Sequence, residues 1–177
     1  CGATDIGQGS DSILAYLTAE VLGLAPKDVH VHPADTALTP VDLGSYSSRV
    51  TLMCGMAAIQ AAERLKTALF KAVAPKLEVG PGALVARDGK IGVPEDWDKA
   101  VSFARAVELG EAMHGVLAFP GAYAPPKRAG QTNETARGDG LIQRLGLRSL
   151  RLRHHLRRAG GERTPGIRQR KAPRRPM

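Results

Sequence analysis

The sequence predicts an α+β fold in which two main helices pack beside short strands, and three observations carry that expectation. Residues 10–22 set Ile13, Leu14, Leu17, Val21 and Leu22 at helical spacing. Residues 48–74 keep one face apolar through Val50, Cys54, Ala57, Ala58, Ala61, Leu65, Ala68, Leu69 and Ala72. Residues 83–93 read as a short hairpin, with Arg87-Asp88-Gly89-Lys90 turning between Leu84-Val85 and Ile91-Gly92-Val93.

In chain order, the first helix is reached through a glycine- and hydroxyl-rich turn, Gly2 to Ser12, with Gly9 or Ser10 able to cap it and Gly23 its natural stop. Gln8 sits at the mouth of that helix. Pro26-Lys27-Asp28 then turns the chain into a short alternating strand, Val29-His30-Val31-His32. A proline- and hydroxyl-rich loop follows to Ser45, and a second small-residue turn, Gly44-Ser45-Tyr46-Ser47-Ser48-Arg49, opens the long helix. The alanines and Gly55 on its apolar face imply close packing, and Pro75 is its expected end. Pro94-Glu95-Asp96-Trp97 reads as the start of a helix through about Leu109, and Gly115–Phe119 as a last strand.

The bulk composition bounds the answer. A chain of 177 residues, 43% apolar, can fill one core and no more than one ordinary domain. The net charge of +8 is unevenly placed: residues 127–177 carry 15 Lys and Arg against Glu134, Asp139 and Glu162, a net +12, which leaves residues 1–126 at −4. The sequence thus divides into a mildly acidic domain, residues 1–126, and a basic tail, residues 127–177. Residues 128–177 contain no Phe, Tyr or Trp and few β-branched residues, so that segment is expected to be mostly disordered. Its arginines lack interleaved aromatics and any regular basic stripe, which argues against a nucleic-acid interface. Cys1 and Cys54 make no Cys-x-x-Cys pair, so neither a disulfide framework nor a zinc or iron–sulfur site is encoded, and reducing, cytoplasmic surroundings are expected. No apolar run long enough to span a membrane is present. The first residue is Cys1 rather than Met, as expected of a piece of something longer.

Two helix N-termini reached through small residues form the arrangement that holds a phosphate or another extended anion. A plain tight turn is the bland alternative for Gly7 and Gly9. For Arg49 it is a surface ion pair with an acidic neighbour. His30 and His32 share one side of the predicted strand, but no third metal ligand is evident. Asp35 and Asp42 are explained by turn-making, Met53, Cys54 and Met56 by core packing, and Trp97 by hydrophobic anchoring.

The ordered series of blocks is more specific than any one of them. Gly2-x-Thr4-Asp5-Ile6-Gly7-Gln8-Gly9-Ser10-Asp11-Ser12 and a helix are followed by Ala34-Asp35-Thr36, then Gly44–Thr51, then a Gly55-x-Ala57-Ala58 helix. This series resembles the second molybdenum-cofactor-binding region of the xanthine dehydrogenase and aldehyde oxidase family. Within the family, Thr39–Arg49 looks most like the large subunit of 4-hydroxybenzoyl-CoA reductase. The resemblance covers about residues 1–126. It implies that Gln8 lies beside molybdenum with Ile6, Gly7 and Gly9 as its backbone setting. It further implies that Ser45, Tyr46, Ser47, Ser48, Arg49 and Val50 wrap the pterin and pyrophosphate of a molybdopterin cytosine dinucleotide. Electrons would arrive from iron–sulfur and FAD partner subunits, and the substrate would be a small aromatic or aldehyde molecule.

Family members also have a separate N-terminal domain, an earlier cofactor-binding segment and a glutamate near the C-terminus. None of these can be matched, so the polypeptide alone is expected to be catalytically incompetent. Beyond Gly121–Lys127 the family's glycine-rich continuation is not recognisable, which suggests a frameshift near residue 130 and an out-of-frame, arginine-rich end. The alternatives are a small basic protein that binds nucleic acid or an acidic partner through its tail, or an inert truncated product.

Overall fold

The structure, a computed structural model, describes residues 1–124 apart from Ala34, Pro40, Leu43, Ser47 and Ser48, together with the backbone of residues 143–147. Its elements are α1 (Ser10–Leu22), α2 (Gly55–Leu77), β1 (Val85–Arg87), β2 (Lys90–Val93), β3 (Asp96–Ser102), α3 (Phe103–His114), β4 (Phe119–Tyr123) and β5 (Gln143–Leu147). The α+β expectation is met. Two antiparallel sheets, β1-β2-β3 and β4-β5, flank the central helix α2.

Helix α2 organises the molecule because its apolar stripe is continuous. All nine residues of the predicted face are buried, and the small ones let neighbours approach closely. On one side the end of α1, the three-stranded sheet and α3 bury Leu22, Ile91, Val101, Phe103 and Ala106 against Leu65, Leu69 and Val73. A smaller cluster sits at the other end, where Ala3, Leu14, Val50, Cys54, Ala57 and Ala58 meet. Strand β4 crosses α2 so tightly that a side chain at Gly121 would overlap the Ala57 carbonyl. The smaller cluster lies beneath the two small-residue turns and fixes their roots.

The helix boundaries move from their expected places for identifiable reasons. A π-turn over Val50–Cys54 precedes α2, whose regular part begins at Gly55. Pro75 lies inside the last turn of α2 rather than ending it, where its missing N–H costs one bond. The stop comes at Glu78, in the left-handed region, with Val79 N–H bonding back to the Ala74 carbonyl.

The predicted helix over 94–109 is a strand for its first half. Asp96–Ser102 pairs with β2, matching Ile91 to Val101 and Lys90 to Ser102. Trp97 therefore lies on a strand, with the Arg87 guanidinium 4.4 Å from its ring. The Ser102 hydroxyl then caps α3 by accepting the Arg105 N–H at 3.3 Å. Ser102→Ala is accordingly expected to cost about 1 kcal/mol, read as a lower thermal midpoint. An unchanged midpoint would remove the cap from the account.

Two strand expectations also shift. Val29–His32 forms no strand; His30 and His32 are exposed, with their rings in edge contact at 4.8 Å. The last strand runs over Phe119–Tyr123 rather than Gly115–Phe119, and it pairs with β5 from Phe119–Leu147 to Tyr123–Gln143. These five residues of the basic segment are thus a strand, and the remainder of the disorder expectation falls outside the described residues. Within the described residues, no helix is long and apolar enough to cross a membrane.

Candidate functional site

The site is built from two loops that start alike, Asp5-Ile6-Gly7 and Asp42-Leu43-Gly44. In each, the aspartate Oδ1 accepts the N–H of the glycine two residues on, at 2.8 Å in both. An aspartate bonding to its own backbone in this way makes a compact turn without help from distant residues. The same bond recurs from Ala37 N–H to Asp35.

In the first loop the Asp5 carboxylate also accepts from Gly9 N–H at 3.3 Å and Asp11 N–H at 3.2 Å. Gly7 and Gly9 have φ of 98° and 77°, which curls successive amides inward around the carboxylate. These hydrogen bonds, from Gly7 first and Asp11 next, hold the Asp5 carboxyl below the usual carboxylate range. At the mouth of α1 the Gly9 and Asp11 amides are thus taken by the chain's own carboxylate.

Gln8 is exposed, and its carboxamide turns back on the loop. Oε1 accepts Ile6 N–H at 2.6 Å, while Nε2 donates to the Thr4 carbonyl at 3.3 Å and to Ser10 Oγ at 3.1 Å. Ile6 itself projects outward, 73% exposed.

The second loop reaches the first at the same carbonyl. Ser45 Oγ donates to Thr4 O at 2.7 Å, so Gln8 and Ser45 are joined through one backbone oxygen. Tyr46 is exposed beside them, and Val50 is buried in the smaller core. Ser47 and Ser48 lie outside the described residues.

Arg49 departs from the surface ion pair weighed for it. It is 8% exposed, and Nη2 meets Asp42 Oδ1 at 2.5 Å, with the Asp42 side chain only 4% exposed. Nη2 and Nε also donate to the Gly44 carbonyl at 2.6 and 3.2 Å, and the guanidinium lies 5.3 Å from the Tyr46 ring centre. Its remaining nitrogen, Nη1, is buried without a hydrogen-bond partner among the described residues. Beneath the pair, burial pushes the Cys54 thiol up, with the Asp42 charge adding to it.

The structure therefore joins Gln8 to Ser45, keeps Tyr46 at the surface and withdraws Arg49 inward. Asp42 makes the turn expected of it, whereas Asp5, which organises the first loop in the same way, was not singled out although the repeated Asp-x-Gly spacing stands in the sequence. No group of three His, Cys, Asp or Glu among the described residues could hold a metal ion.

Comparison with known proteins gives this geometry a family. The model of the molybdopterin cofactor-binding domain matches residues 1–140. The probable hypoxanthine oxidase XdhD of Escherichia coli is 32% identical over 130 residues, 67% of this chain and 14% of that protein. The carbon monoxide dehydrogenase large chain of Afipia carboxidovorans is 34% identical over 97 residues, 53% of this chain and 12% of that one. Among solved structures, quinoline 2-oxidoreductase from Pseudomonas putida superposes with a TM-score of 0.55 at 26% identity, over 63% of this chain and 14% of that chain. The chain belongs to the molybdopterin cofactor-binding domain family, to which xanthine dehydrogenase-type and carbon monoxide dehydrogenase large subunits are related. It spans about one seventh of the length of these relatives.

Proposed function

We propose that residues 1–126 are one wall of the cofactor site of a molybdenum-dependent oxidoreductase large subunit. In this reading Gln8, set by Ile6, Gly7 and Gly9, faces the metal, and Ser45, Tyr46, Ser47, Ser48, Arg49 and Val50 face the pyrophosphate of a molybdopterin cytosine dinucleotide. The observation that carries it is the shared Thr4 carbonyl, which brings the two loops into one surface. The donor set fits an anion in part. Among the described residues Arg49 Nη1 is a buried donor with no partner, close to the exposed Tyr46, and such a donor is costly unless something accepts from it. The bound cofactor would supply the redox chemistry. The chain's own part is to orient it: the Gln8 carboxamide, tied to its own loop, fixes the shape of that wall, and the second loop contributes the Ser45 hydroxyl and the exposed Tyr46 beside the buried Arg49 guanidinium.

The finer assignment to the large subunit of 4-hydroxybenzoyl-CoA reductase rests on Thr39–Arg49 alone. That reading makes the intact relative's reaction the reductive removal of a phenolic hydroxyl, with hydroxylation of an aldehyde or aromatic as the alternative. Iron–sulfur and FAD partner subunits accord with relatives such as the gamma subunit of the 6-hydroxypseudooxynicotine dehydrogenase complex, whose name makes it part of an assembly.

Cytidine diphosphate carries the pyrophosphate end of that dinucleotide and serves as the probe. Titrated into the isotope-labelled full chain, it is expected to shift the Tyr46, Arg49 and Val50 amide resonances saturably. Shifts confined to residues 127–177 would favour the basic-tail reading instead, and no shift at millimolar probe would sink the assignment.

A further inference from the structure

We propose that Asp5 is the positioning residue of Gln8: its carboxylate closes the 5–11 ring, and the orientation of the Gln8 carboxamide depends on that closure. The inference rests on the reading of Gln8 as the side chain that faces the metal.

The geometry leaves Gln8 little independence. Its two backbone neighbours, Gly7 and Gly9, both donate their N–H to Asp5 Oδ1, so the Ile6–Gly7 and Gln8–Gly9 peptide units are pinned to one oxygen. Asp5 Oδ2 takes Asp11 N–H and ties the same ring to the first turn of α1. Gly9, at the helix N-cap, has no side chain with which to cap, and Asp5 supplies a hold on the first turn of α1 beside the Gln8–Ser10 bond. The partners of the Gln8 carboxamide, Ile6 N–H, Thr4 O and Ser10 Oγ, lie in this short stretch. The Ile6 donor requires Oε1 on its side, and the Thr4 acceptor requires Nε2 on the other, so the network also fixes which end of the amide faces which way. Beyond its two chain neighbours, no atom lies within 4 Å of the place a Cβ would take at Gly7 or Gly9. The two glycines are therefore needed for their positive φ, the conformation that wraps amides around a carboxylate.

Two charged groups bear on the ring. The Asp11 carboxyl is raised, by burial first and by the Asp5 charge next, and the Cys1 ammonium opposes that shift. Asp5 is lowered by its amide donors. Because the folded-state value of Asp5 lies below its unfolded value, the closure is present above the ordinary carboxylate range and is lost as pH falls through the depressed value.

The test is a pH titration of the isotope-labelled 177-residue chain, following the Asp5 and Asp11 carboxyl carbons separately. The backbone amides of Gly7, Gly9 and Asp11 and the Gln8 side-chain NH2 are expected to share the Asp5 inflection, below about pH 3.9. In Asp5→Ala the Gln8 NH2 pair is expected to move to the positions of a free glutamine while α2 resonances stay. A simple helix cap would not move the Gln8 side chain. A Gln8 NH2 that follows neither Asp5 protonation nor its removal overturns the proposal, and the wild-type titration decides the matter even where Asp5→Ala fails to fold. Because no cofactor is present, failure here is distinct from failure of the cytidine diphosphate titration.

Discussion

Asp42→Ala is expected to destabilise the chain by about 3–5 kcal/mol, because it leaves the Arg49 guanidinium buried without its counter-charge. Three features set the scale. Both side chains are nearly inaccessible, so water cannot replace the lost partner. Arg49 Nη1 already lacks a hydrogen-bond acceptor among the described residues, so the site has no spare acceptor to offer. Asp42 additionally accepts Gly44 N–H, whose loss frees the very carbonyl-bearing residue that Arg49 grips. The two Gly44 carbonyl bonds that remain hold the effect toward the lower end. Urea unfolding measures it, and a loss under about 1 kcal/mol would show that the pair is solvated in solution, as surface pairs are. Replacing both residues, Asp42→Leu with Arg49→Met, is expected to cost less than Asp42→Ala alone, since the cost of the single change is the unpaired charge.

That pair also shows where sequence reading succeeds and where it stops. Arg49 and Asp42 could be seen seven residues apart, but their burial depends on Ala3, Leu14 and Val50 closing a small core beneath them, which no local pattern announces. The face of α2 was legible throughout, because 3.6-residue periodicity is a local property and every residue it selected is buried. The Asp88-Gly89 turn was equally local; both residues take positive φ, as a tight hairpin turn demands. Asp96–Ser102 was misread because Pro94-Glu95-Asp96 imitates a helix start, while the pairing of Val101 with Ile91 that makes it a strand is supplied by β2. Val29–His32 alternates like a strand yet joins no sheet among the described residues, its far carbonyl meeting the Cys1 ammonium instead, which shows that alternation alone does not supply a strand partner. The carboxylate that gathers the Gly7, Gly9 and Asp11 amides was not foreseen, although Asp5 stood inside the motif itself.

Gly23→Ala is expected to cost about 3 kcal/mol or more, from two sources that act at one atom. Gly23 ends α1 at φ 65° and ψ 35°, where a side chain strains the backbone by roughly 1 kcal/mol. A Cβ there would also lie 2.4 Å from the Ala86 carbonyl carbon and oxygen and 2.6 Å from Arg87 N. Those are backbone atoms of β1, which cannot rotate away as a side-chain tip can, so the hairpin must lift from the helix, at roughly 1–3 kcal/mol for such overpacking. Lifting it stretches the 2.8 Å bond from Gly89 N–H to the Gly23 carbonyl, and Gly89 O is in turn the acceptor for Phe103 N–H at the start of α3. One methyl group therefore loosens the joint between α1, the hairpin and α3 together. Amide hydrogen exchange reads this directly: Gly89 and Phe103 are expected to lose protection in Gly23→Ala, while α2 residues such as Leu69, packed on the other elements as well, exchange faster only through the global loss of stability. Unchanged protection at Gly89 would mean that the helix end and the hairpin are not in contact in solution.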